Sequence, residues 1–345
     1  MKRRTFLKTT VGAGFVGSLA PNLLLGAAKD KPNEKLNIGI IGSGGRGSAN
    51  MRGVASENIV ALCDVNGQTL AASQKKYPKA KAYFDWRKLL EDKSIDAVTV
   101  STADHCHALA AVAAMRAGKH VYCEKPLAHS VHEARVMRET FAKSKVATQM
   151  GTQIHATDNY RRVVELVQSG AIGPVREAHV WCSRTINPIG APVLERQSPP
   201  DWFHWDEWQG PAPDRYHNQG YWKGGNLNWN RRWDYGNGVL GDMGSHLIDL
   251  PWWALELNTP LTCEAHGPKA DAVACPPWMR VTWEHAARKG RAAFEVPVKV
   301  VWYHGGRSKR DRPNIDTGID LGKWFNGILF VGDKGMLLAD YGKRI

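Results

Sequence analysis

The chain has 345 residues, enough for two domains and a large buried core. Its 43% apolar and 23% charged content is that of a globular protein. Part of the formal net charge of +13 is an N-terminal cluster of Lys2, Arg3, Arg4 and Lys8; the rest is scattered, and without a basic stripe a nucleic-acid partner is not expected.

In chain order, MKRRTFLKTT is followed by a weakly apolar, glycine-rich run that ends in small residues near Ala28. Arg3-Arg4-x-Phe6-Leu7-Lys8 resembles a twin-arginine export signal over residues 1–30, which predicts a periplasmic protein. No other stretch is apolar and long enough to span a bilayer, so no membrane partner is expected once the signal is removed. The six cysteines include no CxxC pair and are read as free core thiols.

LNIGII at 36–41, NIVALCDV at 58–65, DAVTVST at 96–102, KHVYCEKP at 119–126 and VATQMG at 146–151 read as strands. Helical segments lie between them, including 107–118, which ends on Gly118, and 130–145, where Ser130 and Glu133 have capping-box spacing. This alternation predicts a doubly wound parallel sheet, a Rossmann domain, over residues 36–150. A second α/β domain is expected over 151–345, with a helix at 157–169 and a half-exposed strand at 174–184. Thirteen of the 14 tryptophans lie beyond residue 150, many in an irregular region at 185–235 that is too aromatic to read as disordered.

GSGGRG at 42–47 fits G-x-G-x-x-G between a strand and a helix, with Asp64 ending the next strand. Gly42 permits the tight turn, Gly44 the close approach of a pyrophosphate, and Gly47 helix–strand packing, with Gly45 and Arg46 in the same loop. The helix N-terminus offers N–H groups to phosphates. Asp64 would accept ribose hydroxyls and repel a 2′-phosphate, and Val65 and Asn66 offer no compensating cation, so NAD is expected rather than NADP.

Other polar residues fall at strand ends on the ligand-binding edge: Asp104 and His105, Glu124-Lys125-Pro126, and Gln153 with His155. Farther on, GNGVLGDMGSHLID places Asp242 and His246 four apart, on one face of a helix. The Asp104–His107 cluster lacks the further ligands that a zinc site needs, so no metal is expected.

Together, GSGGRG with Asp64, EKP at 124–126 and D-x-x-x-H at 242–246 resemble the Gfo/Idh/MocA oxidoreductases from residue 36 to about 335. The resemblance implies a Rossmann domain plus a C-terminal domain with an open, mainly antiparallel sheet that forms a homo-oligomer interface. It implies Lys125, Asp242 and His246 as catalytic residues and a cis peptide at Pro126; export, where free nicotinamide cofactor is scarce, adds the expectation that NAD is tightly held. Asp104, His105, Glu124, Lys125 and Pro126 join the glycine loop as cofactor-site candidates. Gln153, His155 and Arg232 join the catalytic three as substrate-site candidates. The sequence ends at GMLLADYGKRI, short of the strand and helix the resemblance implies, so an incomplete second domain is expected.

The implied chemistry is hydride transfer from a sugar or polyol hydroxyl carbon. His246 would be the base, Asp242 would orient it or hold a neighbouring hydroxyl, and Lys125 would hold the reacting oxygen. Trp202, Trp205 and Trp208 suit stacking on a carbohydrate, although most such aromatics pack cores. Two alternatives remain open: a redox-neutral, NAD-dependent glycosidase, lyase or epimerase, and a non-catalytic sugar- or nucleotide-binding protein.

Overall fold

The structure is a computed structural model, and it describes residues 35–185, 194–288, 294–306, 308, 311–342 and 344–345. The export-signal expectation at residues 1–30 lies outside the described residues.

The first half alternates strand and helix: β1 (Asn37–Ile41), α1 (Gly45–Gly53), β2 (Asn58–Cys63), α2 (Gly67–Lys76), β3 (Lys81–Tyr83), α3 (Trp86–Leu90), β4 (Ala97–Val100), α4 (Asp104–Arg116), β5 (His120–Cys123), α5 (Val131–Lys143) and β6 (Thr148–Met150). Its strands form one parallel sheet in the order β3-β2-β1-β4-β5-β6, the doubly wound arrangement. β1 lies at the centre, and its uninterrupted apolar run is what a strand covered on both faces requires. The capping box at α5 is formed: the Glu133 N–H donates to Ser130 Oγ (3.2 Å) and the Ser130 N–H to Glu133 Oε2 (3.0 Å). α4 begins at Asp104, three residues before the expected start, and ten of its 13 residues are buried, which its run of alanines permits.

The second half comprises α6 (Asp158–Gln168), β7 (Val175–Cys182), α7 (Trp205–Gln209), α8 (Asn226–Trp229), α9 (Gly238–Leu247), α10 (Asp249–Ala254), β8 (Thr262–His266), β9 (Met279–His285), β10 (Val298–His304), β11 (Asn326–Gly332) and β12 (Gly335–Ala339). Its sheet runs β12-β11-β7-β10-β9-β8, and only β7 and β10 pair in parallel. Tyr160, Val163, Val164 and Val167 of α6 recur at helical spacing and pack with α9 and α10 on one face of this sheet. Trp181, Tyr303, Trp324 and Leu329 form a second cluster on the other face. β7 is therefore buried on both faces, which corrects the expectation of a half-exposed strand.

All six cysteines are free thiols, five of them buried. Among the described residues, no helix is long and apolar enough to cross a membrane.

Candidate active site

The C-terminal ends of β1, β2, β4 and β5 open on one edge of the first sheet, and α9 of the second half faces them. Between them lies a continuous cavity of about 630 Å³ that reaches from the glycine loop to His246, within the usual size of a cofactor or substrate site.

The loop is built as its sequence requires. Gly42 has φ +83°, and a side chain there would meet the Ser101 carbonyl. A Cβ on Gly47 would sit 1.8 Å from the Gly42 carbonyl oxygen, so only glycine lets α1 pack this closely. Asp64 secures the loop: its Oδ2 accepts from the Ser43 N–H (2.9 Å) and the Gly44 N–H (3.2 Å), and its Oδ1 from the Asn66 N–H (2.9 Å). Burial raises the Asp64 pKa above its ordinary value despite these bonds.

Glu124 has a different partner from the one its position beside Lys125 suggests. Its buried Oε1 accepts from Arg46 Nε and Asn50 Nδ2, both at 2.9 Å, and so ties the end of β5 to α1. Next along the chain, the Lys125–Pro126 peptide is cis. His107 supports this turn from below, with Nδ1 2.7 Å from the Pro126 carbonyl oxygen and Nε2 3.0 Å from that of Thr102.

Lys125 Nζ donates to Asp242 Oδ1 and to the Asp242 backbone carbonyl (2.9 Å), while Arg184 Nη1 donates to Asp242 Oδ2. Burial acts to raise the Asp242 pKa, but Lys125 and Arg184 outweigh it and hold the carboxyl below its ordinary value. The i,i+4 spacing of Asp242 and His246 thus puts both on the cavity, yet the carboxylate turns to two cations rather than to the imidazole. His246 Nδ1 is buried without a hydrogen-bond partner. Burial first, and Lys125 second, push the His246 pKa down to about 4. Asp104 Oδ2 is likewise buried and unpartnered, and burial raises its pKa well above the carboxylate range.

Gly42, Gly44, Gly45, Arg46, Asp64, Asp104, Glu124, Lys125, Gln153, Asp242 and His246 all line the cavity. Five expected residues do not. Gly47 acts through packing and Pro126 through its carbonyl. His105 is buried under the aromatic segment, with Nε2 2.9 Å from the Trp208 carbonyl oxygen. His155 stacks on Trp253, and its Nδ1 lies 2.8 Å from Asp249 Oδ2. Arg232 is buried with its guanidinium 4.9 Å from the centre of the Tyr221 ring. Of the three tryptophans suited to stacking, Trp208 lines the cavity and Trp202 and Trp205 do not; conversely, Arg184, His107, Trp229 and Tyr341 line it without having been singled out for it. For Arg184 the available signal was its place just past a strand end.

A doubly wound sheet with a glycine loop and a ribose-side aspartate, joined across one cavity to a mixed sheet, defines a two-domain protein of the dinucleotide-binding class. Residues 36–152 match the model of the Gfo/Idh/MocA oxidoreductase family's NAD-binding Rossmann fold, and residues 159–290 match that of the same family's C-terminal α/β domain. The chain belongs to the Gfo/Idh/MocA oxidoreductase family. It is 35% identical over 150 residues to inositol 2-dehydrogenase of Salmonella paratyphi B, covering 42% of this chain and 45% of that one. It is 32% identical over 197 residues to a glycosyl hydrolase family 109 protein of Solibacter usitatus, covering 50% and 43%. The chain thus spans less than half the length of either relative. The solved structure of levoglucosan dehydrogenase in complex with NADH and levoglucosan has the same fold, with a TM-score of 0.60 at 19% identity over 89% of this chain and 73% of that one.

Proposed function

We propose that the protein is an NAD-dependent oxidoreductase acting on a hydroxyl of a sugar or polyol. The observation that carries this reading is the convergence of Lys125, Asp242 and His246 on the cavity that also contains the glycine loop and Asp64. The residues fit the cofactor. The loop and the N-terminus of α1 suit a pyrophosphate, Asp64 suits ribose hydroxyls, and the buried, unpartnered Asp104 Oδ2 awaits a polar group. When bound, NAD supplies the hydride acceptor.

The chain's own residues handle the hydroxyl. Lys125 uses two of its three N–H donors on Asp242 and keeps one for a substrate oxygen, where it favours developing negative charge. Asp242, held by Lys125 and Arg184, fixes where that amine sits. His246 is neutral at pH 7, and its imidazole, which lines the cavity, can take the hydroxyl proton. With myo-inositol and related sugars as test substrates, Lys125→Ala and His246→Ala should each lower kcat/KM by about a hundredfold or more, the usual worth of positioned acid–base and electrostatic groups. Unchanged turnover in either variant, followed by nicotinamide absorbance, would refute the assignment.

The glycosyl hydrolase similarity favours a second reading: a redox-neutral cycle in which the same residues serve sugar cleavage on a retained NAD. Product release without net NADH would select it. We further propose export through the twin-arginine signal, testable by cell fractionation of an Arg3→Lys/Arg4→Lys variant, and self-association through the second sheet, testable by light scattering.

A further inference from the structure

The aromatic segment after residue 200 is fastened to the first domain beside Asp64. The Gly67 N–H donates to the Trp202 carbonyl (2.7 Å), and the His204 N–H to the Val65 carbonyl (2.9 Å). Asn66 and Phe203 pair between them as an antiparallel bridge. Side chains reinforce the junction, with His204 stacked on Phe84 at 3.8 Å and Phe203 on Trp222 at 4.1 Å. The segment does not fill the space beside Asp64. Phe203, Trp208 and Trp222 line the same cavity as Asp64, Val65, Asn66 and Thr69. A packing contact alone needs no such opening. A flat, apolar wall next to a carboxylate is what a planar base attached to a ribose would meet.

Resting on the NAD-binding reading above, we infer that Trp202–Trp208 is a clasp on the adenosine half of the cofactor: Phe203, backed by Trp222, walls the base, and the backbone bonds to Val65 and Gly67 must open before the dinucleotide can leave. The clasp acts on retention, and its effect falls on the dissociation rate more than on the association rate.

The junction can be loosened without touching a cavity side chain. Gly67 is the first residue of α2, where proline is well tolerated because that N–H has no partner within the helix. Its predecessor Asn66 has φ −95° and ψ 104°, extended as a residue before proline should be. Gly67→Pro deletes the donor to Trp202 and crowds its carbonyl, which already lies 3.1 Å from where a Cβ would be. His204 has φ −83°, also compatible with proline, so His204→Pro deletes the second donor.

The experiment uses the full chain and NADH, with release followed by the loss of energy transfer from tryptophan to bound NADH on dilution into excess NAD. Loss of one backbone bond should speed release about fivefold to tenfold, and the double variant should release faster still. Hydrogen exchange should show faster loss of the His204 amide in Gly67→Pro. Unchanged release in the double variant, with wild-type protein that does bind NADH, overturns the clasp alone. Wild-type protein that binds no NADH overturns the NAD reading and the clasp with it.

Discussion

His246 shows how a single residue's surroundings set its chemistry. Its pKa is pushed to about 4 by burial and, next, by the Lys125 ammonium. A base must be unprotonated to act, so kcat/KM should stay level from neutral pH down to about pH 5 and fall with an apparent pKa near 4, not the ordinary value of about 6.5. Lys125→Ala removes the second cause, so the acid limb of its residual activity should move up. pH–rate profiles of wild type and variant check both points; a wild-type limb at the ordinary imidazole value would contradict them. The residues on the cavity were mostly legible, because the glycine loop, EKP and D-x-x-x-H each have fixed spacing. Their pairings were not. Spacing put Asp242 and His246 on one helix face, but Lys125 and Arg184 are brought in by other elements and take the carboxylate. His155 and Arg232 fall in suggestive stretches, yet tertiary packing against Trp253 and Tyr221 takes them off the cavity.

Among the elements, α5 is the clearest case of local sequence dictating a boundary. Ser130 and Glu133 satisfy each other's backbone donors, and Glu133 Oε2 also accepts from the His129 N–H (2.7 Å). Ser130→Ala should lower stability by about 1 kcal/mol, with the urea midpoint reduced and the slope of the unfolding transition unchanged. No change in midpoint would show that the cap is redundant. The parallel βα alternation was legible because buried strands carry continuous apolar runs and turn residues separate them. The second sheet was legible only as a class. β8, TCEAH, is an exposed strand at the sheet edge and has no alternation to read. The aromatic segment was recognisable as ordered, but its destination was not, because its docking onto Val65 and Gly67 is made by backbone groups that carry no sequence signal.

For the whole molecule, three buried histidines link the two halves to one pH dependence. His105 lies at the junction of α4 with Trp208, His246 on the cavity, and His304 in β10; burial is the leading cause that brings each to about 4. The bonding of His304 agrees: Trp302 Nε1 donates to its Nδ1 at 2.8 Å, which requires a lone pair there. Each folded pKa lies below the unfolded value of about 6.5, so the unfolded chain binds more protons between the two. The stability these neutral rings permit is therefore complete above pH ~6.5 and lost as pH falls towards 4, at up to about 1.4 kcal/mol per pH unit per histidine. Asp104 acts the other way, since its raised pKa favours the fold at low pH and that contribution fades as pH rises above the unfolded carboxyl value. Asp64 and Asp249 are raised by burial as well, but His107, His179, His217 and His285 are lowered like the three, the Asp242 carboxyl is held low by its cations, and a chain already at +13 with 13 histidines gains further self-repulsion in acid. Tm at constant ionic strength should accordingly be flat from about pH 8 to 6.5 and fall steeply towards 4.5. His304→Gln keeps an acceptor for Trp302 but cannot titrate, so its Tm should fall less steeply over the same interval. Equal slopes for wild type and His304→Gln would remove His304 from the linkage, and a flat wild-type curve would remove all three.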